Sequence, residues 1–313
     1  METLSLERRN HKKSSIKRQL VIMTSFGILL LFVFHYIPMI GILISFKEGD
    51  GALNILSILF DKQKYPWTFK NYIEILTSKD FWAIMRNTLG LNLLSLLINF
   101  PAPIIFALLL NEVRNRKAKN AVQTIATFPH FISWVIFGGI IQALTDPTTG
   151  IVNPILSAFG FKSVDLNLSE YFWAKMIIVS LLKNVGWGSI IYSAAIVSIN
   201  PSVYEAARIE GASRFQCAIK ITLPLILPTV TTFLLLNLSR ILGNSFEQFY
   251  IFQSAANLDK SEVLATYVYS QAFTYRNYST AAAVSFFEGV VSVILLTVSN
   301  KISKVLTGNG ILK

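Results

Sequence analysis

An all-α integral membrane protein with six transmembrane helices is the architecture this sequence predicts. Hydrophobic residues make up 53% of the 313 and charged residues only 14%, against roughly 25% charged in an ordinary soluble domain. Runs free of ionisable residues recur at membrane length, and a polar segment with its own start and stop signals divides two of them.

The charge-free runs cover 19–46, 87–111, 120–145, 184–204, 221–239 and 277–300, the last interrupted only by Glu288. Each approaches or exceeds the roughly 20 residues a helix needs to cross a bilayer. Because Lys183 interrupts an otherwise apolar helix, the fourth span extends back and is taken as 176–200; the sixth is taken as 278–300. The expected organisation is a basic tail over 1–18, a six-span domain over 19–300 with a polar loop at 201–224, and a tail over 301–313. The first run has no small-residue cleavage site and is too long for a signal peptide, so it reads as an anchor. Prolines 38, 101, 103, 129, 224 and 228 lie in or at the ends of spans and predict kinks.

The loop from Lys47 to about Met85 is the longest, with a turn near Lys64-Tyr65-Pro66 and a helical pattern from Thr68 through Tyr72, Ile73 and Leu76. Asp146-Pro147-Thr148-Thr149-Gly150 and Asn153-Pro154 carry turn chemistry. From Arg240 to Arg276 the chain is rich in aromatics, including Phe246, Tyr250 and Tyr269, which fit either an interfacial belt or a functional surface.

Lys and Arg bias sets the orientation. The first tail, the loop Glu112–Lys119, the loop containing Glu205, Arg208, Glu210, Arg214 and Lys220, and the last tail hold 16 of the 28 basic residues but five of the 17 acids. The whole net charge of +11 therefore lies on one side, and both termini are expected in the cytoplasm. Nucleic-acid binding, the other reading of so basic a chain, needs groove-reading or base-stacking elements that are missing here. The single cysteine, Cys217, excludes an internal disulfide and a thiolate metal cluster.

The polar segment reads Tyr204-Glu205-Ala206-Ala207-Arg208-Ile209-Glu210-Gly211. Ser202 with Glu205 forms a capping-box pattern that predicts a helix start, and Gly211 supplies the left-handed residue that ends it. Ser213 with Gln216 repeats the start signal for a second helix running toward Ile221 and Pro224. Nine residues at about 1.5 Å each are too short to cross a bilayer, so this helix lies beside the membrane. It is either a solvated connector or a docking knob, with Ala206 and Ala207 keeping its profile low and Tyr204, Glu205 and Arg208 supplying contacts.

No HExxH, GxSxG, Walker loop or paired-carboxylate motif is present, which argues against an enzyme. His130 is a lone histidine on an apolar helix, where a satisfied core or kink role outweighs ligand binding. Lys183 and Glu288 fall inside spans and should face the bundle interior along one aqueous pathway, paired or not; the alternatives are that either is satisfied by backbone or marks a shorter span. Asn184, Trp187 and Tyr192 on the fourth span, and Asn237, Asn244, Glu247 and Gln248 on or after the fifth, mix flat apolar faces with amide and carboxyl groups. A sugar needs that mixture, while interhelical hydrogen bonding is the competing role for each residue.

Glu205-Ala206-Ala207, three residues, Gly211, nine residues, then Ile221-Thr222-Leu223-Pro224 resembles the EAA loop of permease subunits of binding-protein-dependent ABC importers, although that family usually has aspartate where Glu210 stands. Tyr36-Ile37-Pro38-Met39, Phe128-Pro129-His130-Phe131-Ile132-Ser133-Trp134, Gly150-Ile151-Val152-Asn153 and Gly186-Trp187-Gly188 narrow the resemblance to the carbohydrate-uptake branch, similar to Lpl/Yte-type polysaccharide permeases and related to maltose-type ones. It covers nearly the whole chain beyond the first twenty residues.

The resemblance implies a type I importer (MetI-like) fold in a bacterial plasma membrane, a second homologous permease, two cytoplasmic ATPases and an external solute-binding lipoprotein. Tyr204, Glu205, Ala206, Ala207, Arg208, Glu210 and Gly211 would form the ATPase-coupling helix. Lys183, Asn184, Trp187, Tyr192, Asn237, Asn244, Glu247, Gln248 and Glu288 are the candidate substrate pathway. The expected activity is uptake of an oligosaccharide or polysaccharide fragment by alternating access, with no cofactor on this chain and ATP and Mg on the ATPases. The same permease carrying a peptide, a membrane-embedded glycosyltransferase and a passive channel are the alternatives.

Overall fold

The computed structural model describes residues 2–47, 65–243 and 245–307; Asn244 and Lys64 fall outside them. The chain forms two compact units, 1–74 with 271–286, and 75–270 with 287–313.

In the first unit, helix α1 (Glu2–Leu31) continues through a π turn at Phe32–Tyr36 and a helical turn holding Pro38 into a 3-10 stretch, Ile40–Phe46. A proline inside a helix removes a donor and crowds the preceding turn, and the helix leaves regular α geometry around Pro38 while continuing as one span. Lys47 is buried, donates from Nζ to the Tyr65 carbonyl at 3.0 Å and lies 4.3 Å from the centre of the Trp67 ring. The pattern from Thr68 onward forms a helix over Lys70–Thr77, and Asn71 Nδ2 in that helix donates to the carbonyls of Ser45 and Lys47.

The second unit is built around a long helix. After α2 (Lys79–Ile98) and α3 (Pro101–Glu112), which together make one apolar span, come α4 (Arg116–Phe131) and α5 (Trp134–Thr145). Helix α6 (Ser169–Val197) is the central one. The polar segment forms α7 (Pro201–Ile209) and α8 (Arg214–Cys217), and α8 runs through a π turn, Ala218–Thr222, into α9 (Leu223–Ser239). The short α10 (Phe246–Phe252) and the long α11 (Tyr278–Thr307), which the two units share, complete it. Among the described residues, five helical stretches are long and apolar enough to cross a membrane, and the bent pair α4–α5 makes a sixth if it is counted as one broken span.

Two apolar clusters hold α6 in place. Phe172, Met176 and Val179 pack with Leu91 of α2, Phe137 of α5 and Phe249 and Phe252 of α10. One stretch further along, Tyr192 and Ile196 pack with Ile104 and Ala107 of α3 and Ile226 of α9. Where α6 meets α4 the approach is closest: a Cβ on Gly186 would stand 2.2 Å from the backbone carbonyl of Ala126. Gln123 closes that seam by donating to the Gly186 carbonyl at 2.9 Å and to Ser189 Oγ at 3.1 Å.

The third span departs from the sequence reading of one helix over 120–145. Helices α4 and α5 meet at 103°, with Ile132 and Ser133 between them. Pro129 sits in the last turn of α4, and the Ser133 hydroxyl caps α5 by accepting from Ile136 N at 3.3 Å. That capping signal, a serine just before an apolar run, is visible in Ile132-Ser133-Trp134 and is hidden by the continuous lack of charge. Spans two and four begin earlier than the charge-free runs, at Lys79 and Ser169, because charge counting finds the apolar part of a helix and not its polar first turns. The Asp146 turn forms as expected: the Thr148 hydroxyl, followed by the amides and hydroxyl of Thr148 and Thr149, donates to its carboxylate and holds it well below the usual carboxylate range.

Candidate substrate cavity and docking helix

A cavity of about 410 Å³ opens between α2, α6 and α9. Helical spacing builds its walls. Asn92 and Ser95 on α2 and Asn99 at its C-cap recur at i, i+3 and i+7, and Ser180, Asn184, Trp187 and Ile191 at i, i+4, i+7 and i+11 on α6, so each set forms one stripe. Phe233 and Asn237 on α9, with Arg240 and Gly243 just beyond it, close the third side. A smaller space of about 180 Å³ shares Asn92, Ser95, Asn99, Ser180 and Gly243 and reaches Gln248.

Amides dominate the polar lining. Asn92 Nδ2 donates to the Ile241 carbonyl at 2.7 Å, Asn237 Nδ2 to the Phe233 carbonyl at 2.8 Å, and Asn99 Nδ2 to Ser95 Oγ at 3.1 Å. Asn99 Oδ1 has no hydrogen-bond partner among the described residues. Flat faces come from Trp187 and from Tyr192 and Phe233, whose rings meet edge-on at 6.2 Å. Arg240 is the one charged side chain among the described lining residues of either space.

Of the residues expected along a pathway, Asn184, Trp187, Tyr192 and Asn237 line the larger space and Gln248 the smaller. Glu288 on α11 lies beside their shared wall, its Oε1 3.6 Å from where a Gly243 Cβ would stand. Glu247 is exposed on α10, and Asn244 lies outside the described residues. Lys183 turns away from the cavity. Its ammonium donates to the carbonyls of Pro129 at 2.9 Å, His130 at 3.4 Å and Ile132, so it does not pair with Glu288 and takes the backbone alternative. His130 stacks on Trp187, with ring centres 4.6 Å apart and planes 2° from parallel, and its Nδ1 lies 3.0 Å from Asn184 Oδ1. Asn92, Ser95, Asn99 and Arg240 were missed by the sequence reading. The polar i, i+3, i+7 stripe in the second span is the signal that finds the first three.

On the polar segment, α7 starts differently from the Ser202–Glu205 box expected. Asn200 is the N-cap, accepting from Ser202 N at 3.1 Å, and Pro201 occupies the first helical position, where its missing N–H costs nothing. Gly211 ends the helix with φ +83°, while Ala212 N donates to the Ala207 carbonyl at 2.9 Å and Gly211 N to Arg208 at 3.1 Å, the paired bonds of a Schellman motif. The Ser213–Gln216 box forms with both bonds, at 2.8 and 3.3 Å. Ala207 is buried, and the Tyr204 hydroxyl bonds Thr222 Oγ1 at 2.9 Å, so Tyr204 ties α7 to the base of α9.

Glu205, Ala206, Arg208 and Glu210 are exposed. Tyr204, Glu205 and Arg208 line a groove of about 820 Å³ with Glu112, Arg114 and Arg214, and Arg214 and Glu112 approach to 3.9 Å. Ile209 is 89% exposed and Phe215 75% exposed on this otherwise polar surface. The sequence reading overlooked both.

A family model described as "Binding-protein-dependent transport system inner membrane component" matches residues 87–307. Protein LplB of Bacillus subtilis (strain 168) is 36% identical over 287 residues, 91% of this chain and 88% of that protein. The polygalacturonan/rhamnogalacturonan transport system permease protein YteP of the same organism is 34% identical over 297 residues, 94% and 90% of the two chains. A solved structure of a bacterial ABC transporter involved in the import of the acidic polysaccharide alginate contains a similar chain, with TM-score 0.83 and 35% identity, covering 94% of this chain and 98% of that one.

Proposed function

Because the chain belongs to the family of binding-protein-dependent transport system inner membrane components, we propose that it imports an acidic oligosaccharide or polysaccharide fragment as the permease subunit of an ATP-driven transporter. The lining of the α2–α6–α9 cavity carries the reading: asparagine amides for hydroxyls, aromatic faces for C–H surfaces, and a single charge, Arg240. A guanidinium can take a carboxylate through two parallel hydrogen bonds, which suits a uronate better than a neutral sugar. The import of alginate and the polygalacturonan named for YteP point to the same substrate chemistry.

The chain is a transport subunit and breaks no bond. Alternating access is driven from outside it: an ATPase seats on α7, where Glu205 and Arg208 offer charge and Ile209 and Phe215 offer apolar surface. A second permease completes the pathway and a solute-binding protein delivers the cargo. Charge bias puts α7 and both termini on the cytoplasmic side.

In the reconstituted transporter, Arg240→Gln is expected to lower uptake of an oligogalacturonate about tenfold while a neutral glycan of equal length changes little, the size of one charge-assisted hydrogen-bonded pair. Equal uptake of acidic and neutral glycans by the unaltered protein would defeat the acidic-substrate reading, and uptake of peptides alone would defeat the saccharide reading.

Topology has its own test. Cys217 is buried and poorly suited to labelling. Phe215→Cys in a Cys217→Ser background, expressed without the ATPase that would cover it, should react with an impermeant maleimide only in inside-out vesicles, and labelling of intact cells would reverse the orientation.

A further inference from the structure

Lys183 is 4% exposed in a membrane-spanning helix and, among the described residues, makes no carboxylate contact within 4 Å, Glu247 acting on it only from a distance. An ammonium in such a place is costly unless something else compensates it. Helix α4 ends at Phe131 and cannot pass its last carbonyls to α5, which departs at 103°. The final carbonyls of a helix are orphaned, and in an apolar interior no water satisfies them. Ile132 N reaches only the Pro129 carbonyl, at 3.3 Å.

The three N–H donors of the Lys183 ammonium match two of these oxygens, on Pro129 and His130, and the linker carbonyl of Ile132. A positive charge at a helix C-terminus also opposes the partial negative charge gathered there. The faces of Trp134 and Phe137, both in the first turn of α5, lie 5.0 and 5.1 Å from Nζ and add cation–π attraction. One side chain thus binds the end of α4, the linker and the first turn of α5.

The next residue along α6 carries this to the cavity. Asn184 Nδ2 is taken up by the Ser180 carbonyl at 3.1 Å, which leaves Oδ1 to accept from His130 Nδ1. His130 in turn lies flat on Trp187. Asn184 and Trp187 both line the cavity.

We propose that Lys183 is a positioning residue for transport: it fixes the angle at which the third span breaks and, through His130, fixes the Asn184–Trp187 edge of the cavity. The second half rests on the cavity being the substrate path; the first does not.

The test uses the assembled transporter with Cys217→Ser and spin labels at Ile125 on α4 and Ile140 on α5, both exposed. Lys183→Met should shift or broaden the distance between the labels and lower import at least about tenfold, with ATP hydrolysis within about twofold, so that ATP used per solute rises. Lys183→Arg, which keeps charge and donors, should retain the unaltered distance. Lys183→Gln offers two amide hydrogens to three carbonyls and covers failure to recover the methionine variant; it should broaden the distance as well.

An unchanged distance in the recovered methionine or glutamine variant overturns the proposal. So does reduced yield with unchanged distance and import in the surviving protein, the behaviour of a residue that only stabilises the fold. Because the distance does not depend on the cargo, a failed saccharide assignment leaves this result readable.

Discussion

Gly186→Ala is expected to prevent recovery of a folded protein, although it adds one methyl group. The new Cβ would stand 2.2 Å from the Ala126 carbonyl carbon and oxygen and 2.5 Å from Thr127 N. All three are backbone atoms, so no rotamer change relieves the contact and α4 and α6 must separate. Overpacking typically costs about 1–3 kcal/mol, and more where the obstacle cannot move. Separation would also stretch the Gln123, Lys183 and His130 contacts along the same seam. Extraction and fluorescence-detected chromatography should show little monodisperse protein. Gly139→Ala on α5, where nothing lies within 4 Å, is the matched control and should be recovered normally. Equal recovery of the two variants would show that the helices do not approach so closely.

Gly211→Pro is expected to leave the protein folded in the membrane and abolish import. Proline fixes φ near −65°, whereas Gly211 has φ +83°. It also removes the N–H that bonds the Arg208 carbonyl at 3.1 Å. The turn between α7 and α8 must then open and α7 must point elsewhere. A misdirected α7 should fail to retain the ATPase on purification. Gly211→Asn, which tolerates the left-handed conformation, should keep much of both properties. Import at the unaltered rate by the proline variant would remove α7 from the coupling role.

Much of this architecture could be read from residues alone, for identifiable reasons. Membrane burial imposes long apolar runs, so the helical spans appeared wherever charge was absent. Gly211 and the Ser213–Gln216 box are local signals, complete within four residues, and both formed as written. Asn200-Pro201 is an equally local signal, and it prevailed over the Ser202–Glu205 pattern because proline favours the first helical position. The break at Ile132–Ser133 was hidden because the side chain that satisfies its carbonyls lies about fifty residues away in sequence. Lys183 was conspicuous, but its partners are backbone atoms, which leave no pattern in a sequence. The cavity was half visible: fourth- and fifth-span residues stood out by chemistry, whereas Asn92, Ser95 and Asn99 looked like ordinary interruptions of an apolar run.

The π turn at Ala218–Thr222 bears on how faces are compared between the polar segment and α9. A π turn holds one residue more than the α-helical turn it replaces, and each α-helical residue corresponds to about 100° of rotation. A helical wheel drawn straight from Arg214 to Ser239 therefore puts the two ends out of phase by about one residue. Phe215 and Phe233 can be assigned to faces only when the wheel is restarted at Leu223. The orientation of this exposed surface about the span axis is thus set by a backbone irregularity, independently of which side chains the surface carries.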